Sequence, residues 1–76
     1  MVTIEEMMDT LLTRVQKAMT MSFAEFSAGS REKVEVIVSF LALLELVKEG
    51  AVEAMQGASF SDIQITNTST AVPHYG

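Results

Sequence analysis

The sequence predicts a small α+β domain, with three helices followed by a β-hairpin. Three observations lead there. Two capping boxes open helices at Thr3 and Ser22, a long apolar helical stretch is closed by Gly50, and beyond Gly50 the apolar pattern breaks into short runs with partial alternation.

The first helix begins at Thr3, whose hydroxyl and the carboxylate of Glu6 three residues on form the reciprocal pair that satisfies orphan amides of a first turn. Ile4, Met7, Leu11, Val15 and Met19 then recur at helical spacing, giving one apolar face over about residues 4 to 19. Thr20-Met21-Ser22 leaves room for a turn or a bridging strand of two residues. Ser22-Phe23-Ala24-Glu25 is a second capping box, opening a short helix that Gly29 ends. The third helix is expected from an N-cap at Ser30, with Glu32 in its first turn, to Glu49, with Gly50 as its C′ stop. Ala51 to Met55 and Phe60 to Ile65 read as a hairpin joined by a four- or five-residue loop. From Thr66 on the chain has no apolar period, so residues 1–66 form the domain and 67–76 a flexible C-terminal tail.

That order of elements is a winged helix: a three-helix helix-turn-helix core plus a β-hairpin wing. Val2-Thr3-Ile4 is expected to lend the hairpin a third strand edge.

Seventy-six residues hold one core, and a chain this short buries a small enough share of its surface to need a staple or a partner. No cysteine is present, which removes disulfides, thiolate metal sites and cysteine catalysis together. The uncharged run Val36 to Leu44 is nine residues, against ~20 for a membrane helix. No basic segment followed by an apolar run marks a secretory signal, so a cytoplasmic location is expected.

The third helix is apolar on nearly all sides. At about 100° per residue, Val36, Leu43, Val47, Phe40, Leu44, Ile37 and Leu41 fill a continuous arc of roughly 160°. Val34, Val38, Ala42 and Leu46 lie across from it among Glu35, Ser39, Glu45 and Glu49. One helix in so short a chain cannot be surrounded by its own fold, so part of this surface is expected to be covered by a partner. The competing reading, one core stripe with scattered surface hydrophobes, is the ordinary one for globular proteins.

A DNA-reading winged helix would carry Arg, Lys, Asn and Gln on this helix. Here Arg31, Lys33 and Lys48 stand against Glu32, Glu35, Glu45 and Glu49, and the hairpin adds Glu53 and Asp62 without a cation. With a net charge of −5, no direct contact with nucleic acid is expected.

Catalytic constellations are nearly empty. His74, the single histidine, stands two residues from the C-terminus, away from any scaffold that could position a general base. Glu5-Glu6 and Glu32-Glu35 fit the helix dipole, and Gly29, Gly50, Gly57 and Gly76 form no phosphate loop. No enzyme activity, cofactor or metal is expected. Of the six methionines, Met7, Met8, Met19, Met21 and Met55 fall near expected core positions, where a thioether fills gaps.

Ser30-Arg31-Glu32 leading to Phe40-Leu41-Ala42-Leu43-Leu44-Glu45-Leu46-Val47-Lys48, then Gln56 and Phe60-Ser61-Asp62-Ile63, resembles the C-terminal domain of kleisins, in particular the bacterial ScpA family, segregation and condensation protein A. The match covers residues 30 to 65, and the first helix agrees only in pattern. Ser61 stands where bacterial members more often carry glycine. The resemblance implies a winged helix that docks on the ATPase head of an SMC protein, away from the coiled coil, and so helps close the SMC–kleisin ring in chromosome condensation and segregation. It also implies association with the nucleoid through SMC, and binding of the companion ScpB through segments absent here. The chain then reads as a C-terminal domain cut from a longer protein, with Met1 an added start. In the family pattern Asp62 is buried beside Phe60 and Ile63 and caps amides of the turn.

Phe40 and Leu44, one helical turn apart, are the expected anchors for the partner, with Val36, Leu43 and Val47 flanking them. Phe60 and Ile63 could serve core or interface. The alternative from another class is a winged-helix DNA-binding domain of a transcriptional regulator, whose affinity would fall steeply with salt where hydrophobic docking would not. A homodimerisation module is a third use of the same apolar surplus.

Overall fold

The computed structural model describes residues 3–57 and 62–68. They form a small α+β unit in the order α1 (Ile4–Ala18), β1 (Thr20–Ser22), α2 (Phe23–Ser27), α3 (Lys33–Glu49), β2 (Val52–Met55) and β3 (Gln64–Asn67). The strands make one antiparallel sheet in the order β1-β3-β2, so the last strand is central and the first and second are its edges.

Both capping boxes form. Thr3 and Glu6 exchange bonds of 3.0 Å at the start of α1, and Ser22 and Glu25 do the same at the start of α2. At the other end of α3, Gly50 takes φ 83°, a left-handed conformation that glycine adopts without steric cost, and its amide bonds back into the last turn. The α1 terminus needs a positive φ too, but there the residue is Met19, at φ 71°.

Leu11 and Val15 of α1, Met21 of β1, Phe23 and Phe26 of α2, Leu43 and Leu46 of α3, Val52 of β2, Ile63 and Ile65 make one core. The α1–α3 packing is the most extensive between any two elements among the described residues. Small residues allow it: Ser39 and Ala42 are buried on the α3 face. The Ser39 hydroxyl stays satisfied by donating to the Glu35 carbonyl at 2.8 Å, with the Met7 sulfur 3.5 Å away.

Several expectations need correction. The third helix begins at Lys33 with Glu32 as N-cap, three residues after Ser30, because residues 28–31 continue the turn out of α2. The Ser30 amide donates to Ser27, and the Glu35 carboxylate accepts from the Arg31 amide at 2.8 Å. The third strand is not residues 2–4, since Thr3 caps a helix that starts at Ile4. It is Thr20–Ser22, in register with Gln64–Thr66 and joined to it by close Thr20 and Thr66 hydroxyls, 3.5 Å apart.

β3 starts at Gln64, so eight residues, 56–63, separate it from β2. Gly57 comes close to Asp62, where a Cβ on the glycine would sit 2.8 Å from the Asp62 Cβ. Asp62 itself is exposed, not buried, while Ile63 is core; Phe60 and Ser61 lie outside the described residues. The strand also runs past Thr66. Asn67 is buried and its amide donates to the Met19 carbonyl, and the Thr68 hydroxyl donates to the Gly50 carbonyl at 2.8 Å, so the ordered domain includes both residues. The rest of the expected tail, 69–76, with His74, is outside the described residues. Of the methionines assigned to the core, Met21 is buried and Met7 and Met8 pack against it, but Met19 and Met55 are exposed.

Candidate functional site

Helix α3 divides into two faces. The inward one carries Ser39, Ala42, Leu43 and Leu46, all buried, with Val36 and Phe40 half-buried at its margin. The outward one carries Val34, Ile37, Leu41 and Leu44, each between 42 and 52 % exposed. Their 3-4-3 spacing sets them in a single row, about 15 Å long at 1.5 Å per residue, that ends one turn further on at Lys48. Val47 lies between the faces and is exposed.

The five expected partner-binding residues therefore separate. Leu44 and Val47 are on the surface. Phe40 and Val36 are half-buried, and the Phe40 ring meets Phe23 edge-on, with centroids 6.0 Å apart and planes at 78°, an arrangement aromatic pairs favour. Leu43, at 1 % exposed, belongs to the core and has no side-chain surface to offer a partner. Ile37, Leu41 and Val34 are the surface residues that the anchor set omitted. The signal for them was present in their 3-4-3 spacing, but Ser39 and the acidic residues around Ala42 and Leu46 disguised which side was inward.

Two hollows open beside the C-terminal part of α3. One, of about 520 Å³, is lined by Thr3, Ile4, Glu5 and Met8 from the start of α1 and by Glu45 and Glu49 from the end of α3. The other, of about 390 Å³, lies between Val47, Gly50 and the edge strand β2, with Met55 the most exposed of its apolar lining residues. The α3 cations, Lys33 and Lys48, stand near opposite ends of the helix, and Arg14 of α1 is held over the Phe26 ring at 5.2 Å. Thus the centre of the outward row is aliphatic with an acidic flank. Among the described residues no helix is long and apolar enough to cross a membrane, and no group of three or more His, Asp or Glu is placed to hold a metal ion.

A small α+β unit with an apolar helix face that no other described residue covers is the class that fold and surface define. The family described as segregation and condensation protein ScpA matches residues 1–68, and the chain belongs to that family. Relatives named segregation and condensation protein A include one from Enterococcus faecalis, 42% identical over 72 residues and covering 91% of this chain and 27% of the relative. A second, from Thermoanaerobacter sp., is 41% identical over 63 residues, covering 83% and 26%. A third, from Caldanaerobacter subterraneus, is 47% identical over 55 residues, covering 72% and 22%. The chain thus spans about a quarter of the length of these curated relatives. No solved structure matches it.

Proposed function

We propose that this domain is a kleisin-type winged helix that docks, without catalysis, on the ATPase head of an SMC protein and helps close the SMC–kleisin ring in chromosome segregation and condensation. Membership of the ScpA family supports the process, and the order of three helices and a three-stranded antiparallel sheet is compatible with the winged-helix architecture. The observation that carries the docking is the outward row of α3, four aliphatic side chains about half exposed in a domain whose core is complete without them. A surface of that kind favours burial against a protein. Leu44 and Leu41 are its centre, with Ile37, Val34 and Val47 around them, and Phe40 supports the row from its margin. Nucleoid association follows through SMC, and ScpB is bound by other parts of the kleisin.

The test is a pull-down of the 76-residue chain with a purified SMC head, run beside a DNA shift assay. Capture by the head with no shift of duplex DNA at physiological salt is expected. A shift at protein concentrations near ~10⁻⁶ M, in the range of non-specific DNA binding, with no capture by the head, would replace this reading with that of a DNA-binding regulator.

A further inference from the structure

We propose that the hollow between α1, the connection from α2 to α3 and the start of α3 is a second binding site, which receives an aspartate or glutamate side chain of a protein partner and holds it on Arg14. It does not depend on docking at the outward row of α3. The α3 residues that line this hollow, Glu35 and Ser39, are not part of that row, and Ser39 is buried on the inward face.

The hollow holds about 270 Å³. Arg14 is exposed on its α1 wall, with the guanidinium carbon 5.2 Å from the centre of the Phe26 ring, and Phe26 is itself fixed in the core. A cation over an aromatic face is held by the ring quadrupole, so this guanidinium is positioned before a partner arrives. Among the described residues the ring is its only partner, and no carboxylate is spent on it. Arginine presents its donors in a planar fork that matches the two oxygens of a carboxylate. The hydroxyls of Thr10 and Ser30 line the same hollow and can donate to the same group.

The acid in the lining is already engaged. Glu35 turns a carboxylate oxygen to the Arg31 amide at 2.8 Å, which ties down the connection. One unpaired cation beside an engaged carboxylate suits a single negative charge, so the site fits a carboxylate better than a phosphate dianion.

Gly29 is the independent observation. It does not end α2 with a left-handed turn, since Gly50 is the glycine with a positive φ among the described residues, and Ala28 caps α2 in an ordinary helical conformation. A Cβ on Gly29 would meet no atom within 4 Å. Neither its conformation nor packing inside the domain therefore asks for glycine, and close approach from outside is the remaining use of the missing side chain. Gly29 borders the hollow beside Ser30.

The test is a titration of the isotope-labelled chain with the capped peptide Gly-Glu-Gly at ~0.05 M salt, followed by nuclear magnetic resonance of the backbone amides, with Gly-Gln-Gly run beside it. The glutamate peptide should shift the amides of Thr10, Gly29 and Ser30 saturably, with a dissociation constant of about 1–10 mM for a few charge-assisted hydrogen bonds, and the glutamine peptide should not. Arg14→Gln and Gly29→Ala should each weaken binding about fivefold, and Arg14→Lys, which keeps the charge and loses the fork, by less than Arg14→Gln. Melting curves on every variant identify those that stay folded, and any one of the three decides the matter by the same readout. No saturable shift, equal shifts with both peptides, shifts confined to Lys33 and Lys48, or unchanged binding in the folded variants would each overturn the site. Docking on the SMC head is read separately and stands or falls on its own.

Discussion

Helices α1 and α3 pack against each other, yet they present opposite patterns. In α1 the apolar residues fall on one side, Leu11 and Val15 reach the core, and the rest of the surface is polar. In α3 apolar residues surround the helix, and Val34, Ile37, Leu41 and Leu44 remain exposed opposite Ser39, Ala42, Leu43 and Leu46. The domain's own packing accounts for the apolar face of α1 apart from Ile4 at its start, which is 41 % exposed, and for half of α3. The unexplained half is the surplus from which the functional reading starts.

The largest effects should come from removing what the two helices share. Leu11→Ala in α1 and Leu43→Ala in α3 each empty a fully enclosed site, at a cost of about 2–5 kcal/mol, enough to unfold most of a domain this small at room temperature. Thermal melting followed by circular dichroism reads the loss. A Leu43→Ala chain that melts like the unaltered one would return that residue to the surface.

Next comes Ser39→Leu, which makes the α3 sequence more apolar while overfilling the crossing with α1. It should destabilise by roughly 1–3 kcal/mol in urea titration, although composition alone would call it an improvement.

Those three substitutions show where sequence reasoning held and where it failed. The Thr3 and Ser22 capping boxes, the one-sided face of α1 and the Gly50 stop rest on local spacing, and all were legible. The inward face of α3 was not, because Ser39 counts as polar in any periodicity argument. Its hydroxyl is satisfied by the Glu35 carbonyl, so Ser39 can be buried on the same side as Leu43 while Ile37 and Leu41 face out. Strand pairing was hidden for a related reason. Thr20–Ser22 is too short to show an alternation, and only the arrival of β3 between β1 and β2 makes it a strand. Asp62 followed the family pattern into the interior, whereas the long 56–63 connection leaves it in solvent.

The helix ends offer a finer comparison. Gly50→Ala forces a side chain into the left-handed conformation and should cost about 1 kcal/mol, whereas Met19→Gly relieves a positive φ on an exposed methionine and should raise stability by a few tenths to about 1 kcal/mol. Opposite shifts in melting temperature are expected, of several degrees at most. Two shifts of the same sign would mean that the positive φ of Met19 is not a strain that glycine relieves.

The sheet edge carries an effect of similar size. Ending the chain after Thr66 instead of after Thr68 removes the Asn67 bond to Met19 and the Thr68 bond to Gly50, and should cost about 1 kcal/mol in chemical denaturation. Equal stabilities would move the edge of the domain back to residue 66.

The claim that the outward face of α3 is an interface is tested most directly by Leu41→Arg and Leu44→Arg, with affinity for the SMC head and the melting curve measured on the same samples. Both side chains are exposed, so each variant should stay folded with stability within ~0.5 kcal/mol of the unaltered chain. Binding should weaken by at least about thirtyfold, the loss expected when the centre of a desolvated apolar contact must take up an unpaired charge. Folded variants that bind the head as tightly as the unaltered chain would contradict the account.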